Sequence, residues 1–173
     1  MHIFQDLDIN LTKRINNLAN QNKTLLKSLI IITNTSDGRI YILYAILIPF
    51  IIPLHGIEIL KIGLPAFAFQ VPVYFFIKNL VKRNRPCHDL EVITHISPPD
   101  KYSFPSGHCA SATLLVLIMN TFNIWILPGL IAWMFLVYFS RVALGLHYIS
   151  DIFGGIALGI ISFVVGHNIS YFF

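Results

Sequence analysis

Residues 105–151 read PSGHCASATLLVLIMNTFNIWILPGLIAWMFLVYFSRVALGLHYISD. Two apolar runs, Cys109–Phe122 and Ile124–Phe139, stand between polar segments, and their lengths are typical of helices. Two consecutive apolar helices form a hairpin, so the polar segments before and after them emerge on the same face. The stretch therefore predicts a membrane-embedded helical hairpin with Pro105–His108 and Ser140–Asp151 together at one end.

The composition of the whole chain agrees with a membrane location. Of its 173 residues, 55% are hydrophobic and 12% are charged, and the mean hydropathy is +0.71. Too few polar residues exist to cover the surface of a soluble fold. The formal charge is +4, but the basic residues lie between apolar stretches and form no continuous patch. This pattern favours anionic lipid head groups over nucleic acid as partners.

Three further apolar segments, Ile40–Leu54, Ile59–Val81 and the stretch from Ile149 onward, bring the expected number of spanning helices to about five. Residues 1–20 place apolar side chains at helical spacing opposite polar ones, which predicts an amphipathic helix along the membrane surface. We expect an all-α, polytopic membrane helix bundle in which residues 1–173 form a single domain.

A third polar segment, Lys78–Pro86, ends one of these helices and carries four cations. It leads through the loop Cys87–Phe104 into Pro105–His108, so helix parity places all three polar segments on one side of the membrane. Charged residues are unfavourable near a membrane unless they have a function. The alternative for this segment alone is an interfacial anchor of snorkelling Lys and Arg side chains.

The segment Pro105–His108 precedes a run of helix formers, so the amides of Ser106 and Gly107 are expected to point out of a helix amino terminus. Free amides and the positive end of the helix dipole form an anion site. Pro-Ser-Gly is also an ordinary turn, however, and Ser106 is also an ordinary helix cap.

His147 and Asp151 are four residues apart, and on a helix they lie on one face. The carboxylate can then accept the imidazole N–H and fix the tautomer, which leaves the other ring nitrogen as a nucleophile. A His–Asp pair that only stabilises a helix is the alternative.

Together the three segments match a family pattern. The first segment, from Lys78, has Lys, then six residues, then Arg-Pro. The second, from Pro105, is Pro-Ser-Gly-His. The third, from Ser140, has Ser-Arg, then five residues, His, three residues and Asp. This arrangement resembles the type 2 phosphatidic acid phosphatase (PAP2) superfamily, which also includes vanadium-dependent haloperoxidases. Every motif position of the family is present, and the combination is far more specific than any one motif.

The resemblance implies a membrane lipid phosphatase that forms a phosphohistidine intermediate and uses no metal or other cofactor. His147 is then the nucleophile, Asp151 orients it, and His108 protonates the leaving oxygen and activates the hydrolytic water. The implied phosphate-binding residues are Lys78, Arg85, Ser106, Gly107 and Arg141.

The substrate stays open among lipids with a terminal phosphate, namely undecaprenyl diphosphate, phosphatidylglycerol phosphate, phosphatidate and lipid A phosphate. A lipid phosphotransferase and a non-enzymatic protein that binds lipid phosphate are the alternatives, while the hydropathy disfavours a soluble vanadate-dependent oxidase. The sequence also leaves open the oligomeric state and whether Cys87 pairs with Cys109.

The distribution of positive charge and the family resemblance predict opposite orientations in the membrane. With five spans, the catalytic face carries eleven of the twelve Lys and Arg residues, all except Lys61, and the positive-inside rule places that face in the cytoplasm. The bacterial relatives that the resemblance suggests mostly act on the outer face of the inner membrane. We expect a multi-pass protein of the bacterial inner membrane with a periplasmic catalytic face.

Overall fold

The computed structural model describes residues 2–98 and 100–172, and over this part of the chain it contains helices and no strand. This confirms the predicted all-α class. The helices are α1 (His2–Asn20), α2 (Lys23–Asn34), α3 (Gly38–Ile51), α4 (Gly56–Val81), α5 (Pro86–Asp89), α6 (Gly107–Thr121), α7 (Leu127–Ala143) and α8 (Ile149–Ser170).

Five of these helices are apolar and correspond to the five expected spans. With 26 and 22 residues, α4 and α8 are about 39 Å and 33 Å long at 1.5 Å per residue, enough to cross a hydrocarbon core of about 30 Å. The other three, α3, α6 and α7, have 14, 15 and 17 residues. Five spans therefore stay a prediction.

Close backbone contact with α6 sets the position of α8. A Cβ atom at Gly155 would lie 2.5 Å from the carbonyl oxygen of Ser106, and one at Gly159 would lie 2.5 Å from that of Ala110. Larger residues would separate the two helices, so small residues are required at this contact. The helix α6 is the more deeply enclosed of the two, with nine buried residues.

The amphipathic helix predicted at the amino terminus is α1, and its two faces have distinct environments. Polar and small residues, Thr12, Asn16 and Ala19, are fully buried against the protein. The side chains of Phe4 and Leu18 are 81% and 58% exposed, as expected of a face that contacts lipid. The fully buried positions of α1 thus include two polar residues, while large apolar side chains of the same helix are exposed.

Asn16 attaches α1 to the rest of the protein. Its side-chain amide donates to the carbonyl oxygens of Ile93 and Ala143, both at 2.8 Å, and its side-chain oxygen accepts from the amide of Ile93 at 3.0 Å. One buried side chain therefore joins α1, the end of α7 and the loop after α5.

Cys87 and Cys109 are both free thiols, so they do not pair with each other in this structure.

We predict that Asn16→Ala destabilises the protein, because it leaves two carbonyls and one amide without their partner. A loss of about 1–3 kcal/mol is typical for such groups, and we expect the melting temperature in detergent to fall by several degrees. The matched control is Asn17→Ala, which removes an exposed side chain of the same type. Equal melting temperatures for the two variants would contradict the assigned role of Asn16.

Candidate active site

The three polar segments meet at one end of the helix bundle, as helix parity predicts. The amide of Ser106, at the start of α6, donates to the carbonyl oxygen of Asp151 in the first turn of α8 at 3.1 Å. The amide of Cys87 donates to the carbonyl oxygen of Gly145, between α7 and α8, also at 3.1 Å. Backbone hydrogen bonds therefore hold the segments together.

The chain changes direction at two residues with left-handed backbone conformation, and each of them comes shortly before a predicted site residue. Lys82 ends α4 with φ of 50°, and the extended backbone after it leads to Arg85. Gly145 follows α7 with φ of +69°, a conformation that favours glycine, and His147 comes two residues later. These turns bring Arg85 and His147 within 3.2 Å of each other.

Three cations, Lys78, Arg85 and Arg141, lie at this meeting point and are called the cationic cradle below. Their exposed fractions are 3%, 1% and 1%. Lys78 and Arg85 share one carboxylate oxygen as acceptor, and Arg141 lies close enough to Arg85 for their charges to repel. Buried like charges are unfavourable unless anions compensate them, so a cluster of this kind can bind an anion.

Several donors of this site have no acceptor among residues 2–98 and 100–172. Arg141 donates from Nη1 to the hydroxyl of Thr33 at 2.7 Å. Its Nε and Nη2, and the hydroxyl of Ser106, have no hydrogen-bond partner within the described part of the chain. Buried polar groups without partners are rare in native proteins. Both residues are predicted phosphate-binding residues, and these atoms can donate to the oxygens of an anion.

His147 presents its Nε2 atom to the cationic cradle. This atom lies 3.2 Å from Nη1 of Arg85, and since a guanidinium can only donate, Nε2 is the acceptor and the ring proton is on Nδ1. Burial lowers the pKa of His147 well below its usual range, and the charges of Arg141 and Arg85 lower it further. The imidazole is therefore neutral, with a lone pair on the nitrogen that faces the anion site.

His147 and Asp151 are close, as predicted, but the reason differs from the prediction. His147 precedes α8 and is not helical, whereas Asp151 is in the first turn of α8 and accepts the amide of Tyr148 at 2.8 Å in a capping box. The cap, and not helical spacing, brings Oδ2 of Asp151 within 3.5 Å of Nδ1 of His147. This is longer than a hydrogen bond.

The amino terminus of α6 also differs in one respect from the prediction. The amide of Ser106 is not free, because it donates to Asp151. The first amide of the helix proper is that of Gly107, and first-turn amides have no acceptor within their own helix. A Cβ atom at Gly107 would lie 2.8 Å from the ring of Tyr74.

His108 lies in a cleft of about 330 Å³ between the start of α3 and the middle of α4. Tyr74 and Gly107 also line the cleft. Its outer edge is formed by Val71 and Phe75, which are 47% and 53% exposed on the apolar surface of α4. The cleft therefore opens towards the lipid-facing side of the bundle.

All eight predicted site residues lie at this end of the bundle: Lys78, Arg85, Ser106, Gly107, His108, Arg141, His147 and Asp151.

Asp100 lies at the same site, although no pattern in the sequence indicates it. One of its carboxylate oxygens accepts from Lys78 at 2.5 Å and from Arg85 at 2.7 Å, and the other accepts from the hydroxyl of Tyr74 at 2.7 Å. Burial alone would raise the pKa of Asp100, but the hydrogen bonds from Lys78 and Tyr74 outweigh it and bring the pKa to about 2. Asp100 belongs to no motif, and a single acid in an irregular loop gives no signal.

Arg83 is a second residue whose position the sequence did not indicate. The sequence allows an interfacial anchor for the segment that contains it, but Arg83 donates to Asp151 at 2.8 Å and to Asp8 of α1 at 2.8 Å. Its guanidinium also lies 3.9 Å from the ring centroid of Tyr148. Arg83 thus holds the carboxylate of Asp151 from the side opposite His147 and connects it to the amino-terminal helix.

The chain is similar to several characterised bacterial proteins. Decaprenylphosphoryl-5-phosphoribose phosphatase from Mycobacterium tuberculosis is 34% identical over 119 residues, which are 69% of this chain and 65% of that protein. Phosphatidylglycerophosphatase B from Bacillus subtilis is 33% identical over 50% of this chain and 46% of its own length. Lipid A 4'-phosphatase from Porphyromonas gingivalis is 35% identical over 53% of this chain and 41% of its own length. The chain therefore spans less than two thirds of the length of each.

Two crystal structures share the fold. LpxE from Aquifex aeolicus superposes with a TM-score of 0.82 over 94% of this chain and 95% of that chain, at 24% identity. A transmembrane PAP2-type phosphatidylglycerolphosphate phosphatase from Bacillus subtilis superposes with a TM-score of 0.77 over 99% of this chain and 88% of that chain, at 19% identity.

The PAP2 superfamily model matches residues 60–172, which begin in α4 and include the cationic cradle, the amino terminus of α6 and the His147–Asp151 pair. With this match over more than half of its length, the chain belongs to the PAP2 superfamily.

Proposed function

We propose that this protein is a membrane phosphatase that hydrolyses the terminal phosphate or diphosphate of a lipid through a phosphohistidine intermediate. One observation carries the proposal: a neutral His147 directs an unprotonated ring nitrogen at a buried cluster of three cations. A nucleophile and an anion site in contact are what phosphoryl transfer to histidine requires.

In this mechanism the cationic cradle binds the nonbridging phosphate oxygens. The unpartnered Nε and Nη2 of Arg141 and the hydroxyl of Ser106 are available as donors, and the amide of Gly107 adds the positive end of the α6 dipole. The negative charge of the transition state is then balanced by side chains fixed in advance, without reorganisation of water.

The reaction has two steps. Nε2 of His147 attacks phosphorus in line, the bond from phosphorus to the lipid oxygen breaks, and His108 gives its proton to that oxygen. A water molecule then loses a proton to His108 and attacks the phosphohistidine, which releases inorganic phosphate and restores His147. Asp151 stabilises the cationic imidazole between the steps, and Arg83 keeps Asp151 in place.

The shape of the cleft supports a lipid as substrate. Its outer edge, formed by Val71 and Phe75, is apolar, while its inner end reaches His108. A head group can enter there while its chains remain in the bilayer. By their names, the relatives act on decaprenylphosphoryl-5-phosphoribose, lipid A and phosphatidylglycerophosphate. The candidates for this chain remain undecaprenyl diphosphate, phosphatidylglycerol phosphate, phosphatidate and lipid A phosphate. Phosphate release by purified protein across these lipids identifies the substrate.

We expect His147→Ala and His108→Ala each to lower turnover by about a thousandfold or more, because they remove the nucleophile and the general acid. Asp151→Asn is expected to be less severe, since its role is orientation. The measurement is phosphate release in detergent micelles. His88→Ala, which truncates an exposed histidine of α5, is the control. Activity within tenfold of the wild type would remove the affected residue from the mechanism.

We also expect turnover to be independent of divalent metal ions, because the cationic cradle supplies the positive charge that a metal ion would supply. Activity should persist in EDTA, and orthovanadate should inhibit by binding in the cradle as an analogue of five-coordinate phosphorus. Loss of activity on chelation, with recovery on addition of a divalent ion, would refute the metal-free mechanism.

We further propose that residues 1–173 form one multi-pass unit of the bacterial inner membrane with the catalytic end on the periplasmic side. Glu91 is exposed in the loop after α5 and is suitable for testing this. In a background without Cys87 and Cys109, Glu91→Cys should react with a membrane-impermeant thiol reagent in intact cells. Reaction only after cell lysis would place the site in the cytoplasm, as the count of positive charges suggests.

A further inference from the structure

Asp100 accepts some of the hydrogen bonds that a bound phosphate would accept. Its carboxylate is bound by Lys78 and Arg85 of the cationic cradle, at 2.5 Å and 2.7 Å, and lies in the same cleft as His108. These are two of the three cations proposed to bind the substrate. A phosphate group and the Asp100 carboxylate therefore compete for the same donors.

We propose that Asp100 is a tethered carboxylate that competes with every phosphate-bearing ligand for the cationic cradle, so that weakly bound monoanionic lipid phosphodiesters do not occupy it while the dianionic terminal phosphate of the substrate does. This inference rests on the proposed function of the same site. It assigns to Asp100 a role in the occupancy of the cradle and none in the chemical steps.

The charges explain which ligands bind strongly enough to displace the carboxylate. The three cations of the cradle carry a formal charge of +3, and the Asp100 carboxylate carries −1. A phosphodiester head group also carries −1, so it gains no electrostatic advantage over the carboxylate. A terminal phosphate carries about −1.5 to −2 at pH 7, and its stronger attraction to the cradle displaces the carboxylate. With its pKa at about 2, Asp100 is ionised throughout the physiological range.

The tether makes Asp100 an effective competitor. Its own carbonyl oxygen accepts from Nε of Arg85 at 2.9 Å, and Lys78 also donates to the carbonyl oxygen of Tyr102. The loop backbone is thus attached to the cradle, and the carboxylate has the high local concentration of an intramolecular ligand. Bulk phospholipids are present in large excess in any membrane, so an open cradle would be occupied by them.

Displacement requires only a rotation of the side chain. The side chain of Asp100 is 26% exposed and has a route to solvent, while its backbone bond to Arg85 can remain. The hydroxyl of Tyr74 donates to the second carboxylate oxygen at 2.7 Å and holds the side chain in the cradle. Tyr74 therefore strengthens the competition without contributing a charge.

The test compares the wild type, Asp100→Asn and Glu91→Gln, with phosphatidate as substrate in detergent micelles. Glu91→Gln is the matched control, because it removes the same charge from an exposed position in the same loop. For Asp100→Asn we expect half-inhibition at about tenfold less phosphatidylglycerol, and a similar fall in the inhibition constant of inorganic phosphate. The control should behave as the wild type.

Unchanged inhibition constants in Asp100→Asn, or a lower kcat without a change in inhibition, would overturn the proposal and indicate a structural role. Tyr74→Phe provides a second variant that keeps all charges, and it should shift both inhibition constants in the same direction by a smaller factor. If the wild type hydrolyses none of the lipid phosphates, the proposed function fails on its own. Orthovanadate-dependent thermal stabilisation then still tests Asp100, because Asp100→Asn should be stabilised at a lower vanadate concentration.

Discussion

Lys78, Arg85 and Arg141 repel one another while all three are withdrawn almost completely from water. Such a cluster is tolerated only if neighbouring polar atoms offset the loss of hydration. The apolar helices that surround it cannot provide these atoms, so they come from the loops and helix ends at one end of the bundle. The carbonyl oxygens of Leu146 and Tyr102, the hydroxyl of Thr33 and the carboxylate of Asp100 all face the cradle. Much of the irregular structure of the protein is therefore explained by the need to accommodate these charges.

A second polar network extends from the His147–Asp151 pair to the amino-terminal helix. Asp151 accepts from Arg83, Arg83 donates also to Asp8, and Asp8 accepts the amide and the hydroxyl of Ser150. The start of α8 is thus held from both sides, by its own capping box and by α1. The orientation of His147 depends on residues more than a hundred positions apart in the chain, and the fold of residues 60–172 alone does not contain all of them.

The helices and the motif residues were predictable, because apolar runs of helical length and fixed spacings are local properties of a sequence. Parity was sufficient to place the three polar segments together, as the Ser106–Asp151 backbone hydrogen bond confirms. Asp100 and Arg83 were not predictable for a different reason. The partners of Asp100 depend on how an irregular loop folds back over the cradle. The direction of the Arg83 side chain depends on the left-handed turn at Lys82, which ends α4. The contacts of both are set by tertiary structure, which no period in the sequence records.

The exposed apolar side chains of α1 give the bilayer a structural role near the site. In a soluble protein the apolar face of a helix binds it to the core, but here α1 buries Thr12 and Asn16 and exposes Phe4, Leu7, Leu11 and Leu18. Lipid on those side chains adds to the hydrophobic contact that Ile15 and Ala19 make with the protein. Since Asp8 belongs to this helix and accepts from Arg83, the packing of lipid on α1 bears on the contacts of Asp151. The detergent or lipid chosen for purification is therefore a chemical variable of the candidate site and not only a solvent for the protein.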